Sequence, residues 1–74
     1  MKHPDFDPNY VFSHHTQTPE KIVHHDAVHE GAKRFAEIIL SHTPPSRDQT
    51  AALLLLREAA MMANAAIALD GRLK

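Results

Sequence analysis

Residues 51–69 read AALLLLREAAMMANAAIAL, and this run decides the fold. Sixteen of its nineteen positions are apolar, and the exceptions are Arg57, Glu58 and Asn64. The run predicts an α-helix rich in alanine and leucine. A helix that packs against one neighbour needs an apolar stripe only a little over 100° wide. This helix therefore has more apolar surface than one neighbour covers.

Cap residues mark both ends of this helix. Ser46 is the predicted N-cap, and Gln49 three residues later makes the pattern of a capping box. Gly71 is placed to end the helix near Leu69 or Asp70.

An earlier helix is predicted from a second pair of signals. Thr18 is its expected N-cap, and Pro19 occupies the first helical position. It is expected to stop near His42, because Thr43 precedes a proline and avoids the helical region. Its predicted apolar ridge consists of Val28, Ala32, Phe35 and Ile39. Gly31 inside it costs about 1 kcal/mol relative to alanine, which indicates either a close backbone approach or a tolerated imperfection.

The predicted fold class is all-α: a two-helix antiparallel hairpin with an extended N-terminal arm, assembled into a homo-oligomeric bundle. The arm is predicted over residues 1–18 and the hairpin over residues 19–74. Pro4 and Pro8 interrupt any helical period in the arm, although Phe6, Tyr10 and Phe12 are three of the four aromatic residues. Such aromatics are expected to dock on the helices of a neighbour or to line a ligand site.

Oligomerisation follows from the size of the chain and its excess of apolar residues. A domain of 74 residues has a marginal core, and without cysteine it has no disulfide to stabilise it. Five residues of the second helix are predicted to face the first helix: Leu53, Leu56, Ala60, Ala63 and Ile67. Six more are left for another chain to cover: Leu54, Leu55, Met61, Met62, Ala66 and Leu69. Left in water, they would form too large an apolar patch for a soluble monomer.

Charge and composition exclude several partners. The formal net charge of −1 provides no strongly basic surface for duplex nucleic acid. The absence of cysteine suits a reducing, cytoplasmic setting, and residues 1–9 lack the apolar segment of a signal peptide. A membrane span over residues 51–69 is not expected, because Arg57 and Glu58 lie near its middle. A charge at a bilayer centre costs roughly 2.5 to 3.5 kcal/mol.

The histidines raise the possibility of a metal site. His25, Asp26 and His29 form the sequence HDAVH, one methylene short of the HExxH zinc motif. Two histidines four residues apart suit a metal, but no third ligand follows, and a His-cluster metal-binding protein remains only an alternative. With no cysteine nucleophile and no glycine-rich loop, we predict no catalytic residue, no resident metal and no cofactor.

Two features predict anion binding. His25, His29 and Lys33 follow one another at helical spacing, about 90° from the apolar ridge, where a cleft between subunits would open. Ser46 and Arg47 begin the second helix, where free N–H groups and the helix dipole favour a phosphate.

Arg57 and Asn64 lie seven residues apart on one face of the second helix. They are expected to pair with polar residues across subunits and to set the register of the helices.

The run from Arg57 to Ala68, REAAMMANAAIA, together with Pro44-Pro45-Ser46-Arg47, resembles the helical hairpin domain of phage anti-CBASS and anti-Thoeris sponge proteins. Members read Phe-x-Tyr-His, then a Gln-Pro-Glu-Arg-like helix start with a later Ile-Arg. A Pro-x-Ser-Arg or Pro-x-Ser-Glu turn and Ala-Asn-Ala-x-Ile-Ala follow. The corresponding residues here also include Phe12-Ser13-His14-His15, Pro19-Glu20-Lys21 and Val28-His29. The resemblance covers most of the chain. His14 replaces the family's tyrosine, His29 its arginine or lysine, and Met62 a usual tryptophan.

The resemblance implies a homohexamer of hairpins that traps cyclic di- and trinucleotides without cleaving them. It implies that bacterial defence effectors are thereby deprived of their activating signal. By position, His14 would stack on a base and His29 would contact a cyclic dinucleotide, whereas Arg47 would serve a separate cyclic trinucleotide site. The predicted ligand-binding residues are Phe12, His14, His25, His29, Lys33, Ser46 and Arg47. The alternative function is a structural helical hairpin that oligomerises without a ligand.

Overall fold

A computed structural model describes all 74 residues, and every regular element in it is helical. The helices are α1 (Pro8–Val11), α2 (Pro19–His42) and α3 (Arg47–Ala68). The second and third run antiparallel and pack side by side, since the start of α2 meets the end of α3. The prediction of an all-α hairpin is confirmed.

The predicted caps of α2 are present. The Thr18 side chain accepts a hydrogen bond from the backbone N–H of Lys21 at 3.2 Å, and Pro19 is the first helical residue. At the other end, Thr43 is the C-cap and donates its N–H to the carbonyl of Ile39 at 3.1 Å. The helix stops there because the following proline forces Thr43 into an extended conformation.

Only one of the two hydrogen bonds of the predicted capping box is present at the start of α3. The Ser46 hydroxyl accepts from the N–H of Gln49 at 3.1 Å, as predicted. The Gln49 amide does not return to Ser46 but donates to the carbonyl of Thr43 at 3.0 Å, which ties the helix to the end of α2. Beyond the last turn, Gly71 has a φ of 70° and donates its N–H to the carbonyl of Ala66. That left-handed conformation favours glycine.

The contact between α2 and α3 uses small residues on α2. All five residues of α3 predicted to face the first helix are half-buried. On α2 the ridge prediction was wrong for Phe35, which is 54% exposed. Ala36 is half-buried instead. From Ala32, a step of four residues turns by about 40° and a step of three by about 60° in the opposite sense. Ala36 therefore stays closer to the contact line than Phe35, and its short side chain lets the two helices approach closely.

The N-terminal arm is not wholly extended, because Asp7 and Pro8 start the short helix α1. The Asp7 side chain accepts from the N–H of Asn9 at 2.9 Å, and Pro8 occupies the first helical position. The arm docks on its own chain: the Tyr10 hydroxyl donates to the carbonyl of Leu69 at 2.7 Å. Leu69, predicted to be left for another chain, is therefore half-buried.

Two cations fasten the same end of the hairpin. The Arg72 guanidinium lies 4.5 Å from the centre of the Tyr10 ring, a cation–π contact. The Lys21 ammonium donates to the carbonyl of Ala68 at 3.2 Å and lies 3.3 Å from a carboxylate oxygen of Asp70. A positive charge at this position complements the negative end of the α3 dipole.

The isolated chain is a flat slab of 44 × 35 × 14 Å in which no residue is fully buried. Leu55 is 63% exposed and Met62 is 73% exposed, as the excess of apolar residues on α3 predicts. By length and composition α3 is apolar enough to cross a membrane. The apolar side chains of α3 that face away from α2 are therefore not covered by the rest of the chain.

Candidate ligand-binding site

Arg47 lies at the beginning of α3, in a shallow depression that also contains Ser46 and the acidic Asp48. Its guanidinium makes no hydrogen bond or ion pair within the chain. The Ser46 hydroxyl is engaged, since it accepts from Gln49 and donates to the carbonyl of Pro44 at 3.0 Å. The backbone N–H groups of Arg47 and Asp48 have no partner, so this helix start offers free donors beside a free cation.

A second depression with unpaired cations lies between α2 and α3. His29 and Lys33 of α2 face Arg57 and Asn64 of α3 across a groove of about 350 Å³. His29, Lys33 and Arg57 are exposed, whereas Asn64 is half-buried. We name this the basic groove, after these four residues.

His25 does not lie at the margin of the helix interface, where it was predicted together with His29 and Lys33. It is half-buried between the helices, where its Nδ1 lies 2.8 Å from the Oδ1 of Asn64. The helix makes a full turn every 3.6 residues, so each step of four residues rotates by about 40°. The stripe from His25 to Lys33 therefore crosses from the helix interface to the outer margin.

Asn64 and Arg57 have roles that the sequence did not predict. Asn64 bonds to His25 of its own chain, a contact that was not predicted. Its pairing with a polar residue of another subunit stays a prediction. Arg57 has no partner within the chain and lines the basic groove. The sequence did offer one indication of these roles. Arg57 and Asn64 are seven residues apart and share one face of an otherwise apolar helix.

Phe12 and His14 lie on the arm. Phe12 is 79% exposed, with its ring 6.1 Å from that of Phe6. His14 is exposed and makes no hydrogen bond. The grooves that contain His29 and Arg47 include neither residue. A single chain thus leaves the predicted site residues in three separate places.

The histidines do not gather into a metal centre in the single chain. No group of three or more His, Asp or Glu side chains lies in position to hold a metal ion. His25 and His29 share a helix, but the Nδ1 of His25 contacts Asn64 and its Nε2 is buried.

An antiparallel hairpin with a docked arm, exposed apolar side chains and unpaired cations in two separate depressions defines a small all-helical domain. The family model described as Acb2/Tad1, hairpin domain, matches residues 7–68, from the N-cap of α1 to the last residue of α3. The chain belongs to this family, the anti-CBASS and anti-Thoeris sponge family, whose members are sponge-type binding proteins. The family that the sequence resemblance indicated is thereby confirmed. No curated protein and no solved structure matches the chain.

Proposed function

We propose that this chain is a non-enzymatic sponge that binds and sequesters cyclic di- and trinucleotide second messengers. In this proposal it acts in the cytoplasm of an infected bacterium and antagonises CBASS-type anti-phage signalling. The observation that carries the proposal is the family match over residues 7–68, which includes both long helices and the arm helix.

The surroundings of Arg47 support a cyclic trinucleotide site. Its guanidinium is unpaired, and the adjacent N–H groups of Arg47 and Asp48 are free. A phosphate at this position would receive charge-assisted hydrogen bonds as well as the field of the helix dipole. Asp48 in the same depression opposes an anion, so several copies of Arg47 around a symmetry axis would strengthen the site.

A cyclic dinucleotide site is proposed where His29 of one subunit meets the arm of another. His29 is exposed on α2, and His14 and Phe12 are exposed on the arm. Imidazole and phenyl rings stack on bases. Because one chain leaves these residues apart, the site is complete only between subunits.

A homohexamer is proposed as the functional form. The absence of any buried residue in a chain that is 43% hydrophobic supports an assembly. Copies of the chain, rather than lipid, are proposed to cover α3, because Arg57 and Glu58 lie near the middle of the helix and charges are costly within a bilayer.

The proposal is tested by isothermal titration against a panel of cyclic di- and trinucleotides, with and without a chelator. We expect binding that is insensitive to the chelator, with intact nucleotide recovered after heat denaturation. Binding of metal alone would favour a metal-binding protein, and no binding at all would favour a structural hairpin. Linear product formed over many turnovers would contradict a non-enzymatic role.

A further inference from the structure

The basic groove has the dimensions and lining of a ligand site that the sequence assigned only in part. Its volume of about 350 Å³ lies within the range of roughly 300 to 1,000 Å³ that small-molecule pockets occupy. His29 and Lys33 of α2 form one edge, and Arg57 and Asn64 of α3 form the other. Two packed helices therefore hold both edges, whereas the predicted dinucleotide site combined α2 with the arm and used no residue of α3.

The charge of the groove has one sign. Lys33 and Arg57 each lack a hydrogen bond or ion pair within the chain. No aspartate or glutamate is among the lining residues. Unpaired cations on both sides of a cleft with low-dielectric walls attract an anion into it. An anionic ligand is thus favoured over a neutral or cationic one.

The orientation of the Asn64 amide adds hydrogen-bond donors. Asn64 directs its carbonyl oxygen to the Nδ1 of His25 at 2.8 Å, and an oxygen acceptor requires that Nδ1 carry the hydrogen. The amide NH2 is then free to donate. The Nε2 of His25 is buried without a hydrogen-bond partner, so the ring makes only the hydrogen bond to Asn64. His25 is therefore a positioning residue for Asn64.

The wall of the groove suits a flat ring. Between its polar edges it is formed by alanine, leucine and methionine side chains: Ala32, Ala36, Leu53, Leu56, Ala60 and Met61. Small side chains leave room for a planar group, and the thioether of Met61 adapts to an aromatic ring. A ligand that combines a planar base with a phosphate therefore uses both parts of the groove.

We propose that Arg57 and Asn64 bind the phosphodiester of a cyclic dinucleotide in the basic groove, together with Lys33 and His29. The inference rests on the proposed function and adds residues of α3 to its dinucleotide site. Arg57 and Lys33 supply the permanent positive charge that the family places at the position of His29. Asn64 supplies neutral donors whose direction is set by His25.

The sharpest test is Asn64→Asp, which keeps the size of the side chain and its acceptor for the His25 hydrogen bond. It removes the NH2 donors and places a negative charge against the phosphate. Cyclic di-AMP affinity, measured by titration calorimetry, is expected to fall by roughly tenfold or more. Cyclic tri-AMP affinity is expected to stay within twofold of that of the unmodified protein, since Arg47 lies in a different depression.

A second pair of variants separates the charge of Arg57 from its packing. Arg57→Met is expected to lower cyclic di-AMP affinity by about tenfold, and Arg57→Lys by less. The matched control is Arg34→Met, because Arg34 is exposed on α2 and lies outside the groove. Light scattering checks the assembly of each variant. If Arg57→Met changes the assembly, Lys33→Met provides the charge test on α2.

Defined results would overturn the inference. If the unmodified protein binds cyclic di-AMP and the Asn64→Asp and charge variants bind it equally well, the groove is not part of the binding site. The proposed function would still stand. No binding of any cyclic di- or trinucleotide of the panel by the unmodified protein refutes the proposed function itself. Inorganic phosphate that competes with cyclic di-AMP at equal concentration would show a general anion site in place of a nucleotide site.

Discussion

Gly31→Ala is expected to affect the single chain and the assembly in opposite directions. Gly31 lies inside α2, on a groove that also contains Phe35 of α2 and Ala59 and Ala63 of α3. This groove and the basic groove lie on opposite sides of the hairpin. The reason is that the side chains of residues 31 and 33 project from α2 on opposite sides of its contact line with α3. A Cβ at position 31 would meet nothing within 4 Å in the single chain.

The magnitudes follow from these surroundings. Replacing glycine by alanine inside a helix typically stabilises the folded chain by about 0.5 to 1 kcal/mol. No clash within the chain opposes this gain. If a partner helix lies against Gly31, the added methyl group overpacks that interface, which typically costs about 1 to 3 kcal/mol. That cost corresponds to a weakening of roughly 5- to 150-fold. Gly31→Leu is expected to weaken the assembly further.

Sedimentation velocity over a dilution series measures the assembly, and circular dichroism measures helix content. The matched control is Glu30→Ala, since Glu30 is exposed and points about 100° away from Gly31. We expect Gly31→Ala and Gly31→Leu to dissociate at higher concentrations than the control. Assembly of Gly31→Leu with unchanged affinity would show that no partner backbone lies against this glycine.

Two further outcomes are expected. Arg47→Ala should weaken cyclic trinucleotide binding by more than tenfold without changing the oligomer, because it removes a charge-assisted hydrogen bond of about 1.5 to 3 kcal/mol; unchanged affinity in titration calorimetry would remove Arg47 from the site. Tyr10→Phe deletes the hydroxyl that holds the arm to Leu69 and should make the arm more accessible to protease, with little loss of helix content by circular dichroism; equal digestion rates would count against arm docking.

The ends of the helices were readable from the sequence because capping is local. The contact between Thr18 and Lys21 and the contact between Ser46 and Gln49 each span three residues. The left-handed conformation of Gly71 likewise depends on its own lack of a side chain. Such signals need no knowledge of the partner helix. The same locality would have revealed α1, since Asp7-Pro8 is an N-cap followed by a proline.

The apolar excess of α3 was also determined by the sequence alone. A helix has a fixed period, so counting apolar residues in the run 51–69 shows that one neighbour does not cover them. Leu55 and Met62 are accordingly exposed in the single chain. Leu69 is the exception, because Tyr10 reaches it from 59 positions earlier in the chain.

Only the tertiary structure decided which polar residues face one another. The contact of His25 with Asn64 joins residues 39 positions apart and depends on the rotation of each helix about its own axis. A rotation of about 40° per four-residue step separates a half-buried His25 from an exposed His29 on what the sequence presents as one stripe. The basic groove arises in the same way, because His29 and Arg57 meet only after α2 and α3 have packed at one particular rotation.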